Sequence, residues 1–94
     1  MSELYRLRIR SGVHGHQAIH APGLRKAMTV FAGAATIALT DGTVRVAAGQ
    51  SAEWSADGPH TYSAVGAEDV HAALLLRYPE RWINSTTKPS GSST

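Results

Sequence analysis

Alternating apolar and polar residues predict short β-strands along most of the chain. In the segment 5–10, Tyr5, Leu7 and Ile9 alternate with three arginines, as on a strand with one buried face. Turns rich in glycine, proline and aspartate separate seven further predicted strands, at 13–21, 26–32, 35–39, 43–47, 51–54, 60–65 and 70–78. Because this spacing is short and helical periodicity is absent from the sequence, the pattern predicts an all-β sandwich or barrel.

Length and composition predict a single folded domain. The chain has 94 residues, of which 43% are hydrophobic and 17% are charged, as in ordinary globular proteins. The last stretch consists mainly of serine, threonine and other polar residues, a composition that does not form a packed core. We therefore expect a barrel over residues 1–83 and a disordered polar tail over residues 84–94.

Charge and cysteine content narrow the possible partners. The chain has no cysteine, so disulfides and thiolate metal sites are excluded, as is common in the reducing cytoplasm. A signal peptide and a membrane-spanning apolar run are both missing from the sequence, and we expect a cytoplasmic protein without a membrane partner. The net charge is only +2, and the sequence has neither a basic run nor zinc-finger spacing, so direct nucleic-acid binding is not expected.

Histidines are the first candidates for chemistry. His14, His16 and His20 fall at even positions of the second predicted strand, and a regular strand projects all three from one face. His60 follows a turn containing Gly58 and Pro59 and opens the seventh predicted strand. Imidazole nitrogens serve as metal ligands, proton carriers or hydrogen-bonding groups for a small molecule.

The spacing of residues around His60 resembles the second sequence motif of the cupin superfamily. That motif runs from a glycine, here Gly49, through a proline and a second glycine to a histidine, and Ser55 and Asp57 stand at the two intermediate positions. From His20 to Pro79 the chain is similar to small single-domain cupins, most closely the sensor barrel of bacterial helix-turn-helix/cupin regulators. The resemblance implies a double-stranded β-helix, which is a small antiparallel barrel of the RmlC-like jelly-roll type, and a homodimer.

The first cupin motif is only partly present. Aligned through its last glycine, the motif places His20 at its first histidine, Pro22 at its second and Lys26 at its glutamate. Only His20 and His60 remain of the four usual metal ligands, and a protonated Lys26 repels a divalent cation. The ordinary cupin metal site is therefore expected to be weak or absent. An alternative set of His16, His20 and His60 offers three imidazoles for iron, nickel, zinc, copper or manganese.

Three functions remain open. In the first, the barrel binds a small organic anion as a sensor or accessory domain. The binding residues in this hypothesis are His20, Lys26, His60 and Tyr62, among the apolar residues Met28, Val30 and Leu75. In the second, the chain is an enzyme: either a metal-dependent oxygenase, isomerase or lyase, or a metal-free acid/base enzyme in which a desolvated lysine works with a histidine. In the third, it is a structural dimerisation module with Lys26 extended to solvent and Trp82 packed on a second subunit.

Overall fold

The structure, a computed structural model, describes residues 1–13 and 15–79, with the backbone only of His16. Within these residues it has eight β-strands and no helix. The strands are β1 (Ser2–Ile9), β2 (His16–Gln17), β3 (Arg25–Ala32), β4 (Ala34–Leu39), β5 (Gly42–Ala47), β6 (Ser51–Ser55), β7 (Thr61–Ala64) and β8 (Val70–Arg77). Consequently, the described part of the chain offers no helix that is long and apolar enough to cross a membrane. The predicted polar tail and Trp82 lie outside the described residues.

The strands form two four-stranded sheets. The first has the order β1-β8-β3-β6 and the second the order β2-β7-β4-β5. Each pair of neighbouring strands is antiparallel. Sequential strands alternate between the sheets in much of the chain, so the two sheets close on each other as a jelly-roll barrel. The all-β barrel predicted from the sequence is confirmed.

The core lies between the two sheets and follows the alternation of the strands. The first sheet contributes the even-numbered residues of β3 and β8, and the second contributes inward residues of β4 and β5. The largest apolar side chains that are completely or almost completely buried are Leu24, Met28, Val30, Ile37, Val46 and Val70. Lys26 is on the same inward face as Met28 and Val30, which makes it the largest fully buried side chain of the described residues.

The second predicted strand is much shorter than expected. Strand pairing in this region is limited to His16–Gln17, which pair with residues 61–62 on β7. Gly15 before this pair and Gly23 after it have positive φ angles of 69° and 78°, and Pro22 has no N–H to donate. The intervening segment is held instead by hydrogen bonds to loop carbonyls, from the Ala18 N–H to His60 and from the Ala21 N–H to Ala56. The prediction of one regular strand over 13–21 is therefore wrong.

Gly33 allows two strand ends to approach each other closely. Its φ angle is +79°, and a Cβ atom at this position would lie 2.5 Å from the carbonyl oxygen of Asp69. The Asp69 carboxylate in turn accepts hydrogen bonds from Arg8 at 2.7 Å and from the Ser11 N–H at 2.9 Å. These contacts fix the end of β1 and the turn after β3 against the start of β8.

Candidate ligand-binding site

Three polar side chains meet between the sheets. Lys26 projects from β3 in the first sheet, whereas Tyr62 projects from β7 in the second and His60 lies just before that strand. Lys26 is 2% exposed, and His60 and Tyr62 are equally well buried. We call these three residues the polar cluster. The expectation, under the structural hypothesis, that Lys26 extends to solvent is wrong, because strand alternation directs it into the core.

Hydrogen bonds link the members of the polar cluster. The Nζ atom of Lys26 lies 3.1 Å from Nε2 of His60 and donates to the hydroxyl of Tyr62 at 3.2 Å. The Nδ1 atom of His60 lies 3.1 Å from the carbonyl oxygen of Gly58, which can only accept a hydrogen bond. This contact assigns the proton of a neutral imidazole to Nδ1. Nε2 is thus the acceptor for Lys26.

Trp54 forms one wall of the polar cluster. On β6 it is the direct cross-strand partner of Lys26, and its ring meets the rings of His60 and Tyr62 edge-on, with centroid separations of 6.0 and 6.2 Å. Its indole Nε1 is buried and has no hydrogen-bond partner in the described part of the chain. The sequence analysis does not include Trp54 among the candidate site residues. Its place in the site depends on the register of β3 and β6, which no local pattern encodes.

Burial controls the electrostatics of the polar cluster. It lowers the pKa of Lys26 from 10.5 to about 8, since desolvation disfavours the ammonium form. It also lowers the pKa of His60, with a further contribution from the positive charges of Lys26 and His20, although the Gly58 carbonyl opposes the shift. Burial raises the pKa of Tyr62, which keeps its hydroxyl neutral. Among the described residues no carboxylate pairs with Lys26. The ion pairs that these residues form elsewhere join Arg8 to Asp69 and two other arginines to Glu53.

Two cavities reach the polar cluster from different sides. The first, which we call the lysine cavity, has a volume of about 360 Å³, and Lys26 and Tyr62 contribute to its wall. The rest of that wall consists of Tyr5, Arg6, Leu7, Gln17, Ala18, Ile19, Leu74 and Leu76. Because Tyr5 and Ile19 are exposed, this cavity opens to the surface. The second, the histidine cavity, has a volume of about 340 Å³ and is bordered by His60 and His20.

The leucines that line the lysine cavity differ from the predicted one. The sequence hypothesis placed Leu75 beside the ligand, but Leu74 and Leu76 are buried and face inward, whereas Leu75 is only half-buried. Successive residues of a strand point to opposite faces, so Leu75 belongs to the outer face of the first sheet. The prediction for Leu75 is wrong by one position.

The predicted histidine set is only partly brought together. His20 is exposed and lines the histidine cavity beside His60, without a hydrogen bond to Lys26. His16 pairs through its backbone with Tyr62, while its side chain and all of His14 lie outside the described part of the chain.

The residues that the structure describes do not by themselves fit a cupin metal site. They contain no group of three or more histidine, cysteine, aspartate or glutamate side chains that could hold a metal ion. In addition, Nε2 of His60 accepts a hydrogen bond from the Lys26 amine, which occupies the lone pair that a metal would need. The three-histidine set of His16, His20 and His60 stays a prediction.

Asp57 ties together two loops that border the polar cluster. One of its carboxylate oxygens accepts a hydrogen bond of 2.6 Å from the Gly23 N–H, and the other accepts one from the Ser55 hydroxyl. These bonds lower the pKa of the carboxyl group, so it stays ionised at neutral pH. Asp57 thus connects the turn before β3 to the turn before His60, at the position where the cupin motif has a glycine.

Comparison with solved structures identifies the type of barrel. The cupin_2 domain of an XRE-family transcriptional regulator from Enterobacter cloacae matches with a TM-score of 0.69 and 18% identity, over 84% of this chain and 83% of that one. An HTH_3-family transcriptional regulator from Vibrio cholerae matches with a TM-score of 0.68 and 20% identity, over 84% of this chain and 44% of that one. A conserved protein of unknown function from Streptococcus pyogenes matches with a TM-score of 0.67 and 26% identity, over 84% of this chain and 66% of that one.

These likenesses agree with the topology. The chain is a two-sheet jelly-roll barrel, and more narrowly it has the fold of a small cupin domain. The resemblance drawn from the motifs around His20 and His60 is confirmed. The chain spans less than half of the Vibrio cholerae protein and about two thirds of the Streptococcus pyogenes protein. No known protein family and no curated protein matches it by sequence.

Proposed function

We propose that this cupin barrel binds a small organic anion in the lysine cavity, with Lys26 as the charged group, and that it serves as a sensor or accessory domain. The observation that carries the proposal is a buried lysine without a carboxylate partner among the described residues. A buried charge without a counter-ion is costly. An anionic ligand beside the ammonium offsets that cost, and the gain contributes to binding.

The polar cluster leaves a donor free for the ligand. The Nζ atom of protonated Lys26 has three N–H bonds, and two of them are directed to His60 and Tyr62. The Tyr62 hydroxyl accepts one of these bonds and keeps its own proton for a second acceptor. Leu74 and Leu76 keep the cavity wall apolar, which strengthens the attraction between the ammonium and an anion. The cavity of about 360 Å³ is at the lower end of the roughly 300–1,000 Å³ typical of ligand pockets.

The sensor role is supported by likeness and not by the geometry of the site. Two of the similar structures are transcriptional regulators, and one of these is a cupin domain from such a regulator. The described residues of this chain contain no helix. The proposal therefore assigns ligand binding to this barrel and DNA recognition to a separate segment or protein.

Thermal unfolding in the presence of anions tests the proposal. The probes are sodium pyruvate, lactate, 2-oxoglutarate, benzoate and phosphate at pH 7, with sodium chloride at equal ionic strength as the control for screening. At about 100 times its dissociation constant a ligand stabilises by about 2.7 kcal/mol, which corresponds to a rise in Tm on the order of 10 °C. We expect such a rise for at least one carboxylate with the native chain and with Lys26→Arg, which keeps the charge. Lys26→Met should show none, and an equal rise in Lys26→Met would refute the anion site.

We further propose a cytoplasmic homodimer, in keeping with the absence of cysteine from the sequence. Leu4 and Phe31 support the dimer, because they are 70% and 65% exposed on the outer face of the first sheet. The double variant Leu4→Ser/Phe31→Ser is expected to sediment as a monomer, whereas the native chain sediments as a dimer. Ile19→Ser is the matched control, since Ile19 is equally exposed but lies outside that sheet. A native chain that stays monomeric at high concentration contradicts the proposal.

A further inference from the structure

We propose that Lys26 is also a nucleophile, whose amine condenses with the carbonyl carbon of a small 2-oxo acid in the lysine cavity to form a Schiff base. This inference rests on the proposed anion site and deepens it: the anion becomes an oxo acid, and a covalent bond is added to the charge interaction. It is supported by the arrangement of donors around Nζ and by the partners available for proton transfer.

The position of Nζ that is required for attack carries no hydrogen bond to the described residues. Two of the four tetrahedral positions of Nζ point to Nε2 of His60 and the hydroxyl of Tyr62, and a third is the bond to Cε. The fourth carries the last N–H of the ammonium form or the lone pair of the neutral amine. None of the described residues hydrogen-bonds to that position. Because Lys26 contributes to the wall of the lysine cavity, a carbonyl carbon held there can reach the amine.

Burial supplies the reactive form of the amine. A lysine in water is almost fully protonated at neutral pH and therefore has no free lone pair. Since desolvation lowers the pKa of Lys26 to about 8, about a tenth of the chains carry the neutral amine at pH 7, and about half do so at pH 8. In the free chain, the described residues place no carboxylate next to Lys26 that would hold the amine in its protonated form.

The polar cluster contains a proton carrier for each half of the reaction. In the first half, the Nζ lone pair forms the C–N bond while the carbonyl π pair moves to oxygen. A proton passes from Nζ to the hydroxyl of Tyr62, which gives its own proton to that oxygen, and a neutral carbinolamine results. In the second half, Nε2 of His60 takes the remaining Nζ proton and delivers it to the departing hydroxyl. The C=N bond forms and water leaves, so an amine and a carbonyl give an imine and water without any oxidant or reductant.

The proposed anion site explains why the carbonyl compound should be an acid. The ammonium form of Lys26, in the wall of the lysine cavity, attracts a carboxylate. Once the carboxylate is bound, the neighbouring carbonyl carbon lies in the same cavity as Nζ, where the neutral fraction of the amine can attack it. A 2-oxo acid carries these two groups on adjacent carbons.

Reductive trapping tests the inference on the native chain. The protein is incubated with sodium cyanoborohydride and either pyruvate or lactate, which have the same charge and nearly the same shape but differ in the carbonyl group. The sequence has only two lysines, Lys26 and Lys88, so peptide mapping assigns an adduct without ambiguity. We expect one pyruvate adduct per chain on Lys26, formed at least tenfold faster than on Lys88 or the N-terminal amine. Lactate should give none, and in urea-unfolded protein the preference for Lys26 should disappear.

Two variants and a competition experiment complete the test. Lys88→Arg should react like the native chain, and Lys26→Arg should lose the adduct while it still shows the anion-induced rise in Tm. Excess lactate should slow the labelling of native Lys26, which requires no variant to fold. The pair 2-oxoglutarate and 2-hydroxyglutarate repeats the comparison for a larger ligand.

The outcomes separate the two proposals. A rise in Tm with both pyruvate and lactate, but labelling of Lys26 no faster than that of Lys88, overturns the Schiff base and leaves the anion site intact. Rapid labelling of Lys26 by pyruvate, blocked by lactate, supports both. No rise in Tm with any anion together with unselective labelling overturns both. Rapid labelling that lactate does not slow supports the nucleophile but contradicts the anion site.

Discussion

Replacing Lys26 by methionine is expected to raise the free energy of unfolding at pH 7 by about 3 kcal/mol. Burial lowers the pKa of Lys26 from 10.5 to about 8, and each pH unit of such a shift corresponds to about 1.4 kcal/mol. Methionine has a similar length and carries no charge. Its neighbours remain satisfied, because the Tyr62 hydroxyl lies 3.5 Å from Nε2 of His60 and can donate to it. Urea denaturation, followed by the fluorescence of buried Trp54, measures the difference.

The same substitution should change how stability depends on pH. Between about pH 8 and 10.5 the unfolded chain keeps the proton of Lys26 and the folded chain has released it, so the native chain becomes more stable as pH rises. The gain in the free energy of unfolding from Lys26→Met is therefore complete below pH 8 and shrinks above it. The groups around Lys26 do not titrate from pH 7.5 to 9.5, because burial lowers the pKa of His60 and raises that of Tyr62. At the cavity mouth, hydrogen bonding to Glu3 raises the pKa of Tyr5.

Arg25→Met is the matched control for this prediction. Arg25 precedes Lys26 on β3 but is exposed and only forms a surface ion pair of 3.6 Å with Glu53. Such pairs contribute about 0–1 kcal/mol, so this variant should be as stable as the native chain or slightly less stable. Its free energy of unfolding should change with pH as that of the native chain does between pH 7.5 and 9.5. A Lys26→Met variant that is less stable than the native chain, or whose stability runs parallel to it over this range, contradicts the account of Lys26.

A lysine that lowers stability in the free protein indicates selection for something other than folding. Proteins commonly lose stability where a binding or reactive group must be held without its partner. Lys26 matches that description because it is buried, has no carboxylate partner among the described residues and borders an open cavity. This reasoning favours a ligand-binding or reactive site over a purely structural module.

Local sequence pattern was sufficient to predict most of the fold. Alternation in segments such as 26–32 and 43–47 predicted β3 and β5 to within a residue or two, because one face of each strand is buried and the other is solvated. The pattern failed in 13–21, where three histidines and an alanine occupy the even positions between residues of mixed size and polarity. That alternation does not distinguish a strand from an irregular segment, and the backbone there bonds to loop carbonyls near His60 and Ala56.

The candidate site was predictable only in part. The two cupin motifs placed Lys26 and His60 at neighbouring ligand positions, and the structure brings their nitrogen atoms to 3.1 Å. The sequence could not predict which leucines in 74–76 face inward, because three consecutive leucines contain no polar residue to mark the outer face. Trp54 was also missed as a site residue, since its contact with Lys26 depends on long-range register.

Carboxylate binding in the lysine cavity is expected to weaken about tenfold for each pH unit above about 8, because only the ammonium form of Lys26 attracts the anion. Titration calorimetry with sodium lactate, which cannot form an imine, should therefore give an affinity at pH 10 about 100-fold below that at pH 7. Near pH 8.5 the bound anion restores the charge on Lys26. Binding should then take up a proton, which makes the measured enthalpy depend on the ionisation enthalpy of the buffer.

Lys26→Arg separates this effect from other titrations. Arginine stays protonated throughout this range, so any affinity that the variant retains should not change between pH 7 and 10, and its binding enthalpy should not depend on the buffer. If the native chain and the variant lose affinity for lactate equally at high pH, a group other than Lys26 controls binding. Tyr5, at the mouth of the lysine cavity, is then the next residue to replace. If native binding does not change up to pH 10, Lys26 is not the charge that the ligand meets. Only an anion bound to the ammonium of Lys26 makes the affinity of the native chain depend on pH while that of the Lys26→Arg variant does not.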